Sequence, residues 1–167
     1  MLACLDATYT GEQASAACLL FEDWGDSDPV LELVHSYPAP EPYRSGLLYR
    51  RELPSLLVVL RAAPSTPALL IVDGYVWLDS DLRPGLGGHL YAALARETPV
   101  VGVAKRSFRG APAIPVLRGR SSRPLFVSAA GAEPEWAATK ISQMHGRFRI
   151  PTLLKRVDRL SRSQTEA

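Results

Sequence analysis

Short apolar runs punctuate the first two thirds of the chain, and three of them lead straight into a charged residue. Met1-Leu2-Ala3-Cys4-Leu5 precedes Asp6, Ala68-Leu69-Leu70-Ile71-Val72 precedes Asp73, and Val100-Val101-Gly102-Val103-Ala104 precedes Lys105. Runs of this length, bounded by turn residues, read as buried strands. Residues 1–8 form the first strand. Tyr9-Thr10-Gly11-Glu12 reads as a turn, 14–21 as a second strand, 24–29 as a turn cluster and 30–37 as a third strand, together an antiparallel meander. Pro38, Pro40 and Pro42 impose an extended loop. A helix is expected over 45–62, with Pro54 either kinking it or marking its first turn. Pro64 and Pro67 end it. A strand at 68–72 follows, then a loop with Gly85, Gly87 and Gly88, a short helix through Ala95, and a strand over 99–104. Two further strands fall at 113–117 and 125–128. Helices are expected over 133–145, with Trp136, Ile141 and Met144 on one face, and over 151–160, with Pro151 in its first turn.

The pattern implies an α/β fold: a mixed sheet, antiparallel meander first and parallel strands after it, flanked by helices. If the first and fourth strands pair, Asp6 and Asp73 become neighbours, an arrangement that the ribonuclease H-like architecture offers. Residues 1–162 read as one domain and 163–167 as a frayed tail.

Composition adds little until charge is resolved along the chain. At 167 residues, 47% hydrophobic and 22% charged, the sequence has the make-up of a soluble globular protein. No apolar stretch reaches membrane-spanning length, and the start lacks a basic and hydrophobic leader, so a cytoplasmic protein is expected. Cys4 and Cys18 fit neither a zinc pattern nor a disulfide framework. They read as buried free thiols, with a Cys4–Cys18 bridge as the alternative. The net charge of +2 hides a split. Residues 1–104 hold 6 Lys+Arg against 13 Asp+Glu, and residues 105–162 hold 13 against 3. The basic half is mostly arginine (Arg106, Arg109, Arg118, Arg120, Arg123, Arg147, Arg149, Arg156, Arg159 and Arg162), which suits phosphate contacts and a nucleic-acid partner.

Three carboxylates stand where packing does not explain them: Asp6 and Asp73 after apolar strands, and Glu52 near the start of a helix. A carboxylate leaving a buried strand is costly to desolvate unless something positive binds it. Converging hard oxygen ligands are what Mg²⁺ or Mn²⁺ requires, so the residues point to a divalent-metal phosphodiesterase site.

Four blocks then resemble the endonuclease V family. They are Leu5-Asp6-Ala7-Thr8-Tyr9; Pro42-Tyr43-Arg44-Ser45-Gly46-Leu47-Leu48-Tyr49-Arg50-Arg51-Glu52; Val72-Asp73-Gly74 with Gly85-Leu86-Gly87-Gly88-His89-Leu90 and the run Pro99–Lys105; and Leu125-Phe126-Val127-Ser128 with Arg149-Ile150-Pro151 and Arg156-Val157-Asp158. The resemblance implies a ribonuclease H-like fold and Mg²⁺-dependent cleavage of DNA or RNA, one nucleotide to the 3′ side of inosine, in repair. It implies Asp6, Glu52 and Asp73 as metal ligands, Asp158 as a further acidic position near the metals, and Lys105 as the active-site lysine. It implies Tyr43 as the aromatic wedge that enters the base stack, and Gly46, Leu48, Gly74, Gly85 and Leu86 as base-pocket positions. His89 matches a family histidine, with a packing role as the alternative; His35 and His145 read as structural.

The chain departs from the pattern in places. Tyr75-Val76-Trp77-Leu78-Asp79 replaces a glycine and a histidine after Asp73-Gly74, leaving Asp79 as an outer ligand or a loop carboxylate. The stretch from Lys105 to Pro124 is short, Ser128-Ala129-Ala130-Gly131 lacks a histidine, and no helix precedes the first strand. The alternatives are a nuclease of the same fold acting on RNA or branched DNA, and a protein that binds nucleic acid without cutting it.

Overall fold

The computed structural model describes residues 1–10, 13–38 and 49–163. The meander forms as expected from β1 (Leu2–Thr10), β2 (Gln13–Phe21) and β3 (Leu31–Pro38). β4 (Leu69–Asp73) lies parallel to β1, and β5 (Val100–Ala104) parallel to β4. β7 (Leu125–Ala130) returns antiparallel beside β5, with β6 (Ile114–Val116) outermost. The mixed sheet has the order β3-β2-β1-β4-β5-β7-β6.

Helices cover both faces, which explains why the central strands are apolar without alternation. α1 (Tyr49–Arg61) and α2 (Leu86–Ala93) place Leu56, Val59 and Leu90 against Ala3, Leu5, Cys18, Leu70 and Val72. α3 (Pro134–Gln143) and α4 (Thr152–Ser163) place Ala137, Ile141, Leu153 and Val157 against Cys4, Ile71, Val101 and Val103. Each strand thus sends alternate residues to opposite layers. Cys4 and Cys18 fall in different layers and are free, so the bridge alternative does not hold. Burial pushes the Cys18 thiol up to about 12. Among the described residues no helix is long and apolar enough to cross a membrane.

Some expected boundaries move. Tyr9 and Thr10 belong to β1, paired with Ala14 and Gln13, rather than to a turn. β1 also runs well past Asp6, which is therefore mid-strand; only its parallel pairing to β4 stops at Leu5↔Val72. Pro54 lies inside α1 and does not mark its first turn. Proline has no amide to offer the Arg50 carbonyl. Beside it, the Tyr9 and Ser55 hydroxyls both donate to the Arg51 carbonyl, and the Arg51 guanidinium lies 4.4 Å from the Tyr9 ring centre. These contacts tie α1 to β1. Trp136 does not share the buried face of Ile141: it is half-exposed and meets Trp24 edge-on at 5.8 Å. α4 continues to Ser163, beyond the expected end; residues 45–48 of the first helix and 164–167 of the tail lie outside the described residues.

Gly102 sets the closest approach in the sheet. A Cβ there would lie 2.5 Å from the Gly74 carbonyl oxygen and 2.9 Å from the Val76 nitrogen. Val76 N–H donates to the buried Ser128 hydroxyl at 2.9 Å, so strand β7 anchors the same loop. We expect Gly102→Ala to destabilise the fold by about 1–3 kcal/mol through overpacking and to displace Asp73, both readable by chemical denaturation and divalent-cation titration. Unchanged stability and cation binding would contradict this account of the loop.

Candidate active site

The alternation of the strands decides which charges meet. Asp6, Asp73 and Lys105 each lie two residues beyond an inward residue of the α4 layer: Cys4, Ile71 and Val103. All three therefore face α4, at the carboxyl-terminal edge of the parallel strands, where α/β sheets open a ligand crevice. From α4 comes Asp158. One carboxylate oxygen from each of Asp6, Asp73 and Asp158 lies within 4.8 Å of the others.

The surrounding groups hold this cluster together. Lys105 Nζ donates to Asp73 Oδ2 at 2.5 Å and lies 3.8 Å from Asp158 Oδ1. Arg162 Nη2 reaches Asp158 Oδ1 at 3.0 Å. The Ser161 hydroxyl donates to Asp6 Oδ2 at 2.5 Å, with Thr8 Oγ1 2.8 Å from Ser161 Oγ. Burial is the largest influence on Asp6 and raises its carboxyl to about 6; the Ser161 hydrogen bond opposes this, and the fields of Asp73 and Asp158 add to it. Burial works against the Lys105 ammonium, but the Asp73 hydrogen bond and the fields of Asp73, Asp158 and Asp6 outweigh it, so its pKa rises.

Glu52 arrives by a different route. It is carried by α1, on the opposite face of the sheet, and is not one of the three tightly clustered carboxylates. It lines the same cavity, of about 840 Å³, together with Asp6, Asp73 and Asp158. Burial first, then the fields of Asp6 and Asp73, raise it to about 7. The cavity also takes in Gly74, Gly85, Leu86 and His89, so the family-derived pocket positions that are described sit beside the acidic groups. Gly85 is required by packing: a Cβ would stand 2.4 Å from the Tyr75 carbonyl oxygen. His89 stacks on Tyr49 with centroids 3.7 Å apart, and burial lowers its pKa. Tyr43, Gly46 and Leu48 lie outside the described residues. Asp79 organises its own loop, accepting from the Asp81 and Arg83 amides and from Arg83 Nε. His145 bonds Thr152, and His35 lies against Tyr37.

The arginines divide into two groups. Arg118 is buried and donates to the carbonyls of Ser142, Met144, Gly146, Phe148 and Arg149. Arg149 donates to the Lys105 and Pro124 carbonyls, and Arg156 pairs with Asp28 and Glu32 rather than with Asp158. Arg106, Arg109, Arg120, Arg123, Arg147 and Arg159 have no carboxylate within ion-pair distance among the described residues. Ser161 was not foreseen as a site residue. Its signal is the 158/161/162 spacing, one helical face in α4.

The sequence model of the family described as Endonuclease V matches residues 1–132. The chain belongs to the endonuclease V family. It is an endonuclease by that membership. A curated endonuclease V of Streptomyces avermitilis is 31% identical over 182 residues, spanning 95% of this chain and 77% of that protein. The crystal structure of the Streptomyces avermitilis endonuclease V superposes with a TM-score of 0.77 at 29% identity, over 99% of this chain and 81% of the other. That of Ciona intestinalis endonuclease V, in complex with a 23mer DNA containing an inosine followed by a ribo-adenosine, gives 0.80 at 21% identity, over 99% and 85%. The mixed sheet is thus the ribonuclease H-like sheet of this family.

The raised carboxyls fix the sign of a pH effect. The folded chain keeps protons on Asp6 and Glu52 up to about 6 and about 7, whereas ordinary carboxyls lose them near 3.8 and 4.5. Stability from these groups is full below that lower range and is lost as pH rises through the upper one. The thermal midpoint of the cation-free chain should fall between about pH 4 and pH 7, and a divalent cation should recover it at the higher pH. A midpoint that neither falls with pH nor responds to the cation would contradict the cluster.

Proposed function

We propose that this endonuclease uses Mg²⁺, with Mn²⁺ as a substitute, to cleave DNA or RNA one nucleotide to the 3′ side of a deaminated adenine, as a repair enzyme of the cytoplasm. The observation that carries the reading is the meeting of Asp6, Asp73 and Asp158 at one point. Close carboxylate oxygens form a hard donor set that fits a small divalent ion and that only positive charge stabilises. Asp6, Asp73 and Asp158 would hold it, with Glu52 lining the same cavity. A bound ion of this kind activates a water and stabilises the charge that develops on a phosphoryl group.

The chain's own residues supply the rest. Lys105, held between Asp73 and Asp158, places a fixed positive charge beside the scissile phosphate. Ser161 orients the Asp6 carboxylate. Glu52, raised to about 7, can hold or release a proton near neutrality. The wall of Gly74, Gly85 and Leu86 lets backbone groups approach a base edge, and hypoxanthine offers both an acceptor at O6 and a donor at N1. Tyr43, Gly46 and Leu48 would complete the wedge and pocket. The arginines without carboxylate partners attract the phosphate backbone.

The test is nicking of paired DNA and RNA oligonucleotides, with and without inosine. Mg²⁺-dependent nicking is expected one nucleotide beyond inosine, falling to background in Asp73→Asn. Lys105→Ala should lower kcat by about 10²–10³-fold. Equal cutting of inosine-free strands would refute the base preference, and salt-sensitive binding without nicking would refute the nuclease reading.

A further inference from the structure

A second groove, of about 1010 Å³, meets the base-pocket cavity at Asp158, which lines both. It is lined by Lys105, Arg120, Arg147, Phe148, Lys155 and Asp158, so it opens directly onto the acidic cluster. Asp158 is its one carboxylate. Phe148 is 62% exposed, an unusual placement for a large apolar ring. The Arg147 guanidinium lies 5.0 Å from its ring centre. An aromatic face set among cations, none of them but Lys105 in an ion pair among the described residues, matches the way single strands are held: a base stacks on the ring and phosphates meet the charges.

The segment that carries Phe148 is built to stay in place. Buried Arg118 gathers five carbonyls between Ser142 and Arg149, the Phe148 carbonyl at 3.0 Å among them. Gly119, at φ +61°, packs so closely beneath it that a Cβ would stand 2.3 Å from the Arg147 carbonyl oxygen. An exposed ring on a pinned backbone loses little freedom when a base stacks on it.

We propose that this groove is a strand-binding subsite that takes the nucleotides 3′ of the scissile bond, with Phe148 stacking on one base and Arg120, Arg147 and Lys155 meeting the flanking phosphates. The direction rests on the functional reading above. If the base on the 5′ side occupies the cavity of Gly74, Gly85 and Leu86, the strand passes the acidic cluster and reaches the groove at Asp158, the residue that lines both.

The test uses the full chain carrying Asp73→Asn, so that strands stay intact, and a fluorescent single-stranded DNA with one inosine. Phe148→Ala should weaken binding roughly ten-fold, the scale of one lost base stack, and Phe148→Trp should retain it. With an oligonucleotide that stops at the scissile bond, the alanine and parent proteins should bind equally. With one shortened only on the 5′ side, the difference should persist. Arg147→Gln should lower the slope of log affinity against log salt by about 0.7. Equal binding by Phe148→Ala on the full strand, the same loss on the strand that stops at the scissile bond, or no binding of any strand would each overturn the subsite. The two readings separate cleanly. A Phe148 effect in a chain whose unsubstituted form does not nick leaves the subsite standing and removes the nuclease mechanism. Nicking that survives without any Phe148 effect does the reverse.

Discussion

Mutual repulsion among Asp6, Asp73 and Asp158 is the constraint around which the functional end of this molecule is organised. Three acidic oxygens within 4.8 Å do not stay together unaided. The structure answers with an ammonium from β5's end, a hydroxyl and a guanidinium from α4, and enough burial to keep a proton on Asp6 up to about 6. The ammonium comes from the end of β5, and the hydroxyl and guanidinium come from adjacent positions of α4. Sheet order, the length of β1 and the docking of α4 are all needed to bring them to one place. The parallel pairing that ends at Leu5↔Val72 is the pivotal register, because a slip by one residue would turn Asp6 into the α1 layer and Leu5 into the site.

Much of this was legible in the chain. Apolar runs followed by a charge located β1, β4 and β5, and family resemblance connected their charged ends with Glu52 and Asp158. What could not be read was the parity of the strands relative to the helices. Asp6, Asp73 and Lys105 share one face because each is an even step from an inward residue, whereas Glu52 comes from the opposite layer. The three-way meeting therefore includes Asp158 rather than Glu52. In the sequence Asp158 stands in a basic helix, between Arg156 and Arg159. In the fold Arg156 turns away to Asp28 and Glu32, and Asp158 turns inward.

The arginine-rich half shows how composition misleads when it is read as a sum. Arg118 is an internal tie for five carbonyls, and Arg149 does similar work between β5 and the segment before β7. Arg118 is closed off from a phosphate by its burial, whereas Arg149 still lines the groove beside Phe148. Buried guanidinium groups suit this role because their donors are fixed in a planar fork. The cations that remain without carboxylates are fewer, and two of them, Arg120 and Arg147, flank the exposed ring of Phe148.

The family's sequence model ends at residue 132, just past the last strand, while a third of the carboxylate cluster sits on α4. All seven strands precede α4 in the chain, and the site needs both. An ion shared between β1, β4 and α4 would act as a clasp between the carboxyl-terminal helix and the sheet. Such an ion would add to the packing of Leu153 and Val157, which already seats that helix.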